Sequence, residues 1–251
     1  MQLLTLSFPF SLHPGDLPKL RGAVSDLVDP TRKDPDAILF HNHDNSSDQD
    51  YLRWEYPLIR YTTHKGRATM IGIGAGATAM ATLLLPRLLL LDTLVVNGRP
   101  LPVSGFQLRD RRIALALHDT PQAFGLYRWM ALNNDNYRAW QTLEGNEPAR
   151  EQLLHRALTG HLRAQAEALV PGIDKDQIHA NILRVDNRKK MIWQGKPLIG
   201  FSVVAESRYQ PPVGLGVGRL TAWGFGTTLG ERAYTQAIKH RKARTGREEV
   251  L

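Results

Sequence analysis

Short strand-like and helical segments alternate in a βαββαβ-like order twice along the 251 residues, which predicts an α+β fold of two tandem ferredoxin-like domains. Three observations carry the prediction. The N-terminus alternates apolar and polar residues, a hairpin signature surrounds Gly66, and a second round of helix and strands begins after residue 120.

Residues 2–8 (QLLTLSF) read as a strand and residues 15–28 as a short helix. Ala37 to Phe40 read as a second strand running into the polar loop HNHDNSSDQD. In YPLIRYTTHKGRATMIGIG two β-rich segments flank His64-Lys65-Gly66, with Gly66 supplying the turn. A helix is expected from Gly76 to about Leu90, followed by an Asn97-Gly98 turn and a strand in GFQLRDRRIALALH with an arginine-rich first half.

Helical periodicity returns over residues 149–168, then alternation in IHANILRV and MIWQGKPLIGFSVVAES, joined by a basic turn at Asn187-Arg188-Lys189-Lys190. The pattern divides the chain into an N-terminal domain, 1–120, and a C-terminal domain, 121–251, that carries a Gly-rich loop. No low-complexity segment and no sequence repeat interrupts them.

Hydrophobic residues make up 42% of the chain, enough for packed cores. The absence of cysteine removes disulfides and thiolate metal sites and fits a cytoplasmic location. MQLLTLSFPF has no basic leader, and the longest apolar run is broken by Pro86, Arg87 and Asp92, so neither a signal peptide nor a membrane span is expected. Lysine and arginine total 32 against 24 acidic residues, a formal charge of +8. Such an excess favours a polyanionic partner through counterion release, and nucleic acid leads that class.

Gly214, Gly216 and Gly218 precede Arg219, and Gly224 and Gly226 lead toward the terminal helix. Glycines so spaced either let backbone amides approach a phosphate, with a helix dipole behind them, or simply permit tight turns. Dense positive charge at 239–244 on the terminal helix would extend a phosphate track, though a solvated helix end explains it equally. An earlier cluster, Gly72, Gly74 and Gly76, invites a dinucleotide reading, but Ala77 stands where a third glycine is usual.

His41 and His43 flank Asn42 just past the expected strand; if the strand ran through them, both imidazoles would face one side. RNA suits such a pair, since its 2′-OH is the nucleophile: a neutral His takes that proton, a protonated one supplies the leaving 5′-oxygen, and no metal is needed. A surface loop with incidental histidines, or a metal site shared with Asp44 or Asp48, stays open on spacing alone. His64 in its basic turn is a further candidate contact, with Lys65 and Arg67 beside it.

These residues resemble the CRISPR-associated family-six endoribonucleases of the RAMP superfamily. GLGVGRLTAWGFG looks like the family's Gly-rich loop; FHNHD and YPLIRYTTHKGRATMIGIGAGA resemble one subgroup's paired histidines and N-terminal segment. The resemblance implies tandem ferredoxin-like folds and metal-independent cutting within CRISPR repeats to leave a 2′,3′-cyclic phosphate. It implies His41 and His43 as base and acid, and glycines 214, 216, 218, 224 and 226 as shapers of an RNA-contacting loop. Arg219 stands where relatives often have lysine, which keeps the charge and alters phosphate geometry. Arg188, Lys189 and Lys190 join the expected RNA contacts, and no cofactor is expected. The partners implied are CRISPR repeat RNA and, as an open possibility, other CRISPR effector subunits, with a monomer or homodimer as the working form. A non-catalytic RNA-binding subunit of an effector complex is the alternative reading.

Overall fold

The structure, a computed structural model, describes residues 1–29, 37–41, 43–44, 51–52, 56–193 and 195–248. The chain forms two compact units, Met1–Ala114 with Ala222–Gly224, and Leu115–Thr221 with Phe225–Leu251.

Unit 1 begins with β1 (Gln2–Ser11), where Leu4, Leu6, Phe8 and Phe10 point to one buried face. In α1 (Leu17–Val28), Leu17, Leu20, Val24 and Val28 bury one helical stripe on that face. A four-residue helix, α2 (Ile38–His41), precedes two paired two-residue strands, β2 (His43–Asp44) and β3 (Tyr51–Leu52). The hairpin of β4 (Ile59–His64) and β5 (Arg67–Ile73) turns at Lys65 and Gly66, both at positive φ, as its two-residue loop requires.

A helical run follows: α3 (Ala75–Ala79), a π-turn over Met80–Leu84, and α4 (Leu85–Leu88). Pro86 would crowd the carbonyl four residues back in a regular helix, and the wider π-turn, with Leu85 N–H donating to the Met80 carbonyl, relieves that clash. A hairpin of β6 (Thr93–Val96) and β7 (Arg99–Pro102) leads to β8 (Gln107–Arg112). The main sheet has the order β4-β5-β1-β8, all antiparallel, which is the ferredoxin-like arrangement.

Unit 2 repeats it. Strand β9 (Leu117–Trp129) leads to α5 (Asn134–Thr142) and the long α6 (Glu147–Leu169), each N-capped by an asparagine, Asn133 and Asn146. Strands β10 (Ala180–Trp193), β11 (Lys196–Tyr209) and β12 (Thr227–Leu229) complete the sheet β10-β11-β9-β12, and α7 (Glu231–Glu248) follows. Leu154, Leu158 and Leu162 of α6 bury against Phe124, Leu126, Phe201 and Val203. On the opposite face of β9, Gly125 has no side chain to obstruct the Tyr234 ring of α7.

The expected α+β architecture of two ferredoxin-like folds is what the chain adopts. Two expected elements differ. Residues 38–41 are helical rather than extended, because Ala37, Phe40 and His41 bury at helical spacing. Asn187 to Lys190 are not a turn but the middle of β10; the turn lies at Gly195, φ 74°.

Candidate nucleic-acid interface

His41 closes α2 and is only 9% exposed. The expectation that one strand carries both imidazoles on a common face is therefore corrected: His41 ends a helix and His43 begins β2 opposite Leu52. The side chains of His43 and Asp44, and Asn42 and Asp48 altogether, lie outside the described residues. Just before His41, the Phe40 carbonyl accepts two hydrogen bonds, from Arg21 Nε at 3.1 Å and from the Tyr61 hydroxyl at 3.2 Å. The Arg21 guanidinium lies 4.9 Å over the Trp223 ring, and Tyr61 packs 6.4 Å from the same ring. Burial holds the Tyr61 hydroxyl well above its ordinary pKa, against a smaller opposing pull from Arg21, so Tyr61 stays a donor.

His64, Lys65 and Arg67 are all exposed at the tip of the β4–β5 hairpin. Arg188, Lys189 and Lys190 are exposed along β10, and strand alternation sends Arg188 and Lys190 to one face and Lys189 to the other. Arg188 and Lys190 border a cavity of about 340 Å³ that also has Tyr137, Trp140, Arg150 and Ile199 in its wall. Two guanidinium groups lie over the Trp140 ring, Arg150 at 4.9 Å and Arg188 at 5.8 Å from its centroid. Sequence reasoning missed Tyr137, Trp140 and Arg150; the signal was the Asn133 cap ahead of a short helix.

The Gly-rich loop is held mainly by partners outside it. Amides of Gly214, Val217, Arg219 and Gly226 donate to the carbonyls of Thr228, Gly226, Met130 and Arg128 at 2.9 to 3.2 Å. Gln165 Nε2 donates to the Gly216 carbonyl at 2.7 Å. At Gly218, φ 96°, a Cβ would stand 2.6 Å from the Trp129 indole, and at Gly226, φ 63°, it would run into the Val217 carbonyl. Both positions thus demand glycine for conformation and for space. Gly224 sits with Ala222 and Trp223 in unit 1, against Thr62. The Trp129 indole donates to His161 Nδ1 at 3.2 Å, and burial, with Arg219 adding repulsion, pushes the His161 pKa down to about 4. Arg219 Nη1 donates to the Leu132 carbonyl at 3.3 Å.

The loop enters β12 rather than a helix, and the first turn of α7 begins with Glu231. The expected helix-dipole phosphate site at the loop's end is therefore absent, since β12 intervenes and a carboxylate already complements that helix end. The dinucleotide reading of Gly72, Gly74 and Gly76 also fails. Strand β5 is antiparallel to both neighbours, and Gly76 serves a close approach to the Leu58 backbone. Among the described residues, no three histidine, aspartate or glutamate side chains converge as metal ligands, and no helix is long and apolar enough to cross a membrane.

The Cas6b N-terminal domain model matches residues 1–94, and the Cas6b C-terminal domain model matches residues 116–229. A crystal structure of Cas6b is similar with a TM-score of 0.73 and 22% identity, over 91% of this chain and 98% of that one. A crystal structure of the CRISPR RNA processing endoribonuclease Cas6b is similar with a TM-score of 0.64 and 20% identity, over 91% and 99%. No curated protein matches the chain. With one Cas6b domain model matched in each half, the protein belongs to the Cas6b family of CRISPR-associated family-six endoribonucleases.

Proposed function

We propose that this chain binds precursor CRISPR RNA in the cytoplasm and cuts it within the repeats, with His41 and His43 as its catalytic pair. The observation that carries the reading is the Cas6b match in both halves, one similar structure being described as a CRISPR RNA processing endoribonuclease. In the step proposed, one imidazole takes the proton of the 2′-OH and the 2′-oxygen attacks the adjacent phosphorus. The bond to the 5′-oxygen breaks as the second, protonated, imidazole donates to it. The products are a 2′,3′-cyclic phosphate and a 5′-OH, and the proton count closes without a metal ion.

His41's fixed backbone supports its assignment, since a base must be held within reach of the proton it removes. The backbone of the RNA is assigned to the exposed cations His64, Lys65 and Arg67 on one hairpin, and Arg188, Lys189 and Lys190 on β10. Arg219 and the loop shaped by Gly214, Gly216, Gly218, Gly224 and Gly226 complete the surface. Further CRISPR effector subunits are candidate partners for the product-bound protein.

The test incubates the protein and its His41→Ala/His43→Ala variant with labelled repeat RNA in EDTA and identifies the product ends. We expect a single cut with a cyclic phosphate, and a loss of about 10²-fold or more in the variant with binding retained. Binding without cutting by the parent protein would point instead to an RNA-binding subunit, and loss of cutting in EDTA would sink the mechanism.

A further inference from the structure

We infer that Arg21, Tyr61 and Trp223 act together as a clamp that positions His41 for catalysis. The inference rests on the catalytic reading of His41. Helix α2 has only four residues, far too few to hold itself as a helix, and its last carbonyls have no partner within it. The backbone next to His41 must therefore be held from outside. Two donors from two other elements meet on the one carbonyl that precedes it: Arg21 Nε from α1 and the Tyr61 hydroxyl from β4.

Each donor is itself fixed. Tyr61 is 1% exposed, so its ring cannot swing away from Phe40. The Arg21 guanidinium is oriented by the Trp223 face at 4.9 Å, and its planar fork can lie on the ring while it donates in its own plane, a geometry that an ammonium lacks. Trp223 lies 6.4 Å from Tyr61, so one indole backs both donors. Residues 222–224 are the part of the Gly-rich segment that belongs to unit 1. The stretch proposed to meet RNA thus also carries the side chain behind the His41 anchor. None of the three residues need touch the RNA for this role.

The test compares Arg21→Lys, Tyr61→Phe, Trp223→Leu and Trp223→Phe with His41→Ala in the full chain, on labelled repeat RNA. Single-turnover cleavage at saturating protein is read alongside the RNA Kd. We expect Arg21→Lys and Trp223→Leu to cut about tenfold to hundredfold more slowly, as a displacement of about 1 Å can. Tyr61→Phe, which removes one of two donors, should lose about threefold to tenfold. The Kd should stay within about twofold, because phosphate contacts are untouched. Trp223→Phe should recover most of the rate, since it restores an aromatic face under Arg21.

If His41→Ala abolishes cutting while Arg21→Lys and Trp223→Leu cut at the parent rate, the clamp is wrong and the catalytic reading stands. If His41→Ala cuts normally, both fall. A Trp223→Phe variant as slow as Trp223→Leu also overturns the clamp, and should Trp223→Leu fail to fold, Arg21→Lys and Tyr61→Phe decide.

Discussion

In unit 1 the third strand of the sheet reaches the fourth through a helical run over residues 75–88 and a hairpin, whereas the third and fourth strands of unit 2 are joined by the loop 210–226, with one 3-10 turn, whose residues 222–224 belong to unit 1. A helix satisfies most of its own backbone groups. The loop must find partners elsewhere, and it finds them in the Arg128 and Met130 carbonyls, the Gln165 side chain, and a tight seat on Trp129. The difference teaches that identical strand order does not imply identical robustness. The β6–β7 turn of unit 1's connection should tolerate small changes, while the Gly-rich loop should fail at single atoms.

The sharpest way to break that comparison is one methyl group placed in each unit. Gly226→Ala meets both a positive φ and the Val217 carbonyl, and should cost about 3 kcal/mol or more. Gly98→Ala, at φ 73° with nothing within 4 Å of the new methyl, should cost only about 1 kcal/mol. Urea denaturation of the two variants reads the difference directly. Equal losses would mean that the loop is no more constrained than a surface turn.

A second test uses pH. His161 accepts from Trp129 as a neutral imidazole, and its pKa of about 4 lies below the ordinary 6.5. The unfolded chain therefore binds the extra proton first. Stability from this group is complete above pH 6.5 and is lost as pH falls from 6.5 toward 4, by at most about 3 kcal/mol. His161→Gln keeps an acceptor for the indole and cannot titrate, so its unfolding midpoint should fall less between those pH values than the parent's. Parallel acid slopes in the two proteins would remove His161 from the account.

Legibility divided along the same physical lines. Strand β1, helix α1, the β4–β5 hairpin and α6 were readable because each buries one face against a core, which imposes a period of two or of 3.6 on the sequence. Strand β10 reads as two pieces because it is an edge strand whose half-buried Asn187 and exposed Arg188, Lys189 and Lys190 satisfy solvent rather than a core. Helix α2 is not legible as a helix, because the four apolar residues Ala37 to Phe40 carry no period. The Gly-rich loop was legible as a loop, but its amides' partners were not, since Arg128 and Met130 lie far away in sequence. Likewise nothing local could show that Arg21 and Trp223, about two hundred positions apart, meet beside Phe40.

The smallest expected effect sharpens the comparison as an RNA surface. Unit 1 offers Lys65 and Arg67 on an exposed hairpin tip, while unit 2 offers Arg188 and Lys190 beside a cavity walled by Tyr137 and Trp140. Each phosphate contact to a single strand contributes about 0.7 to the slope of log affinity against log salt. Neutralising either pair to glutamine should therefore lower the slope by about 1.4, that is 2 × 0.7, if both members touch phosphate. The pairs should differ in what remains at high salt. The Trp140 ring holds the Arg188 guanidinium in place over its face, a contact that salt screens little, so the unit 2 variant, which loses a pre-positioned donor, should still bind more weakly there, by a few fold, while the unit 1 variant should converge on the parent. An unchanged slope for one pair would take that pair off the RNA path, and convergence of both at high salt would reduce the β10 face to charge alone.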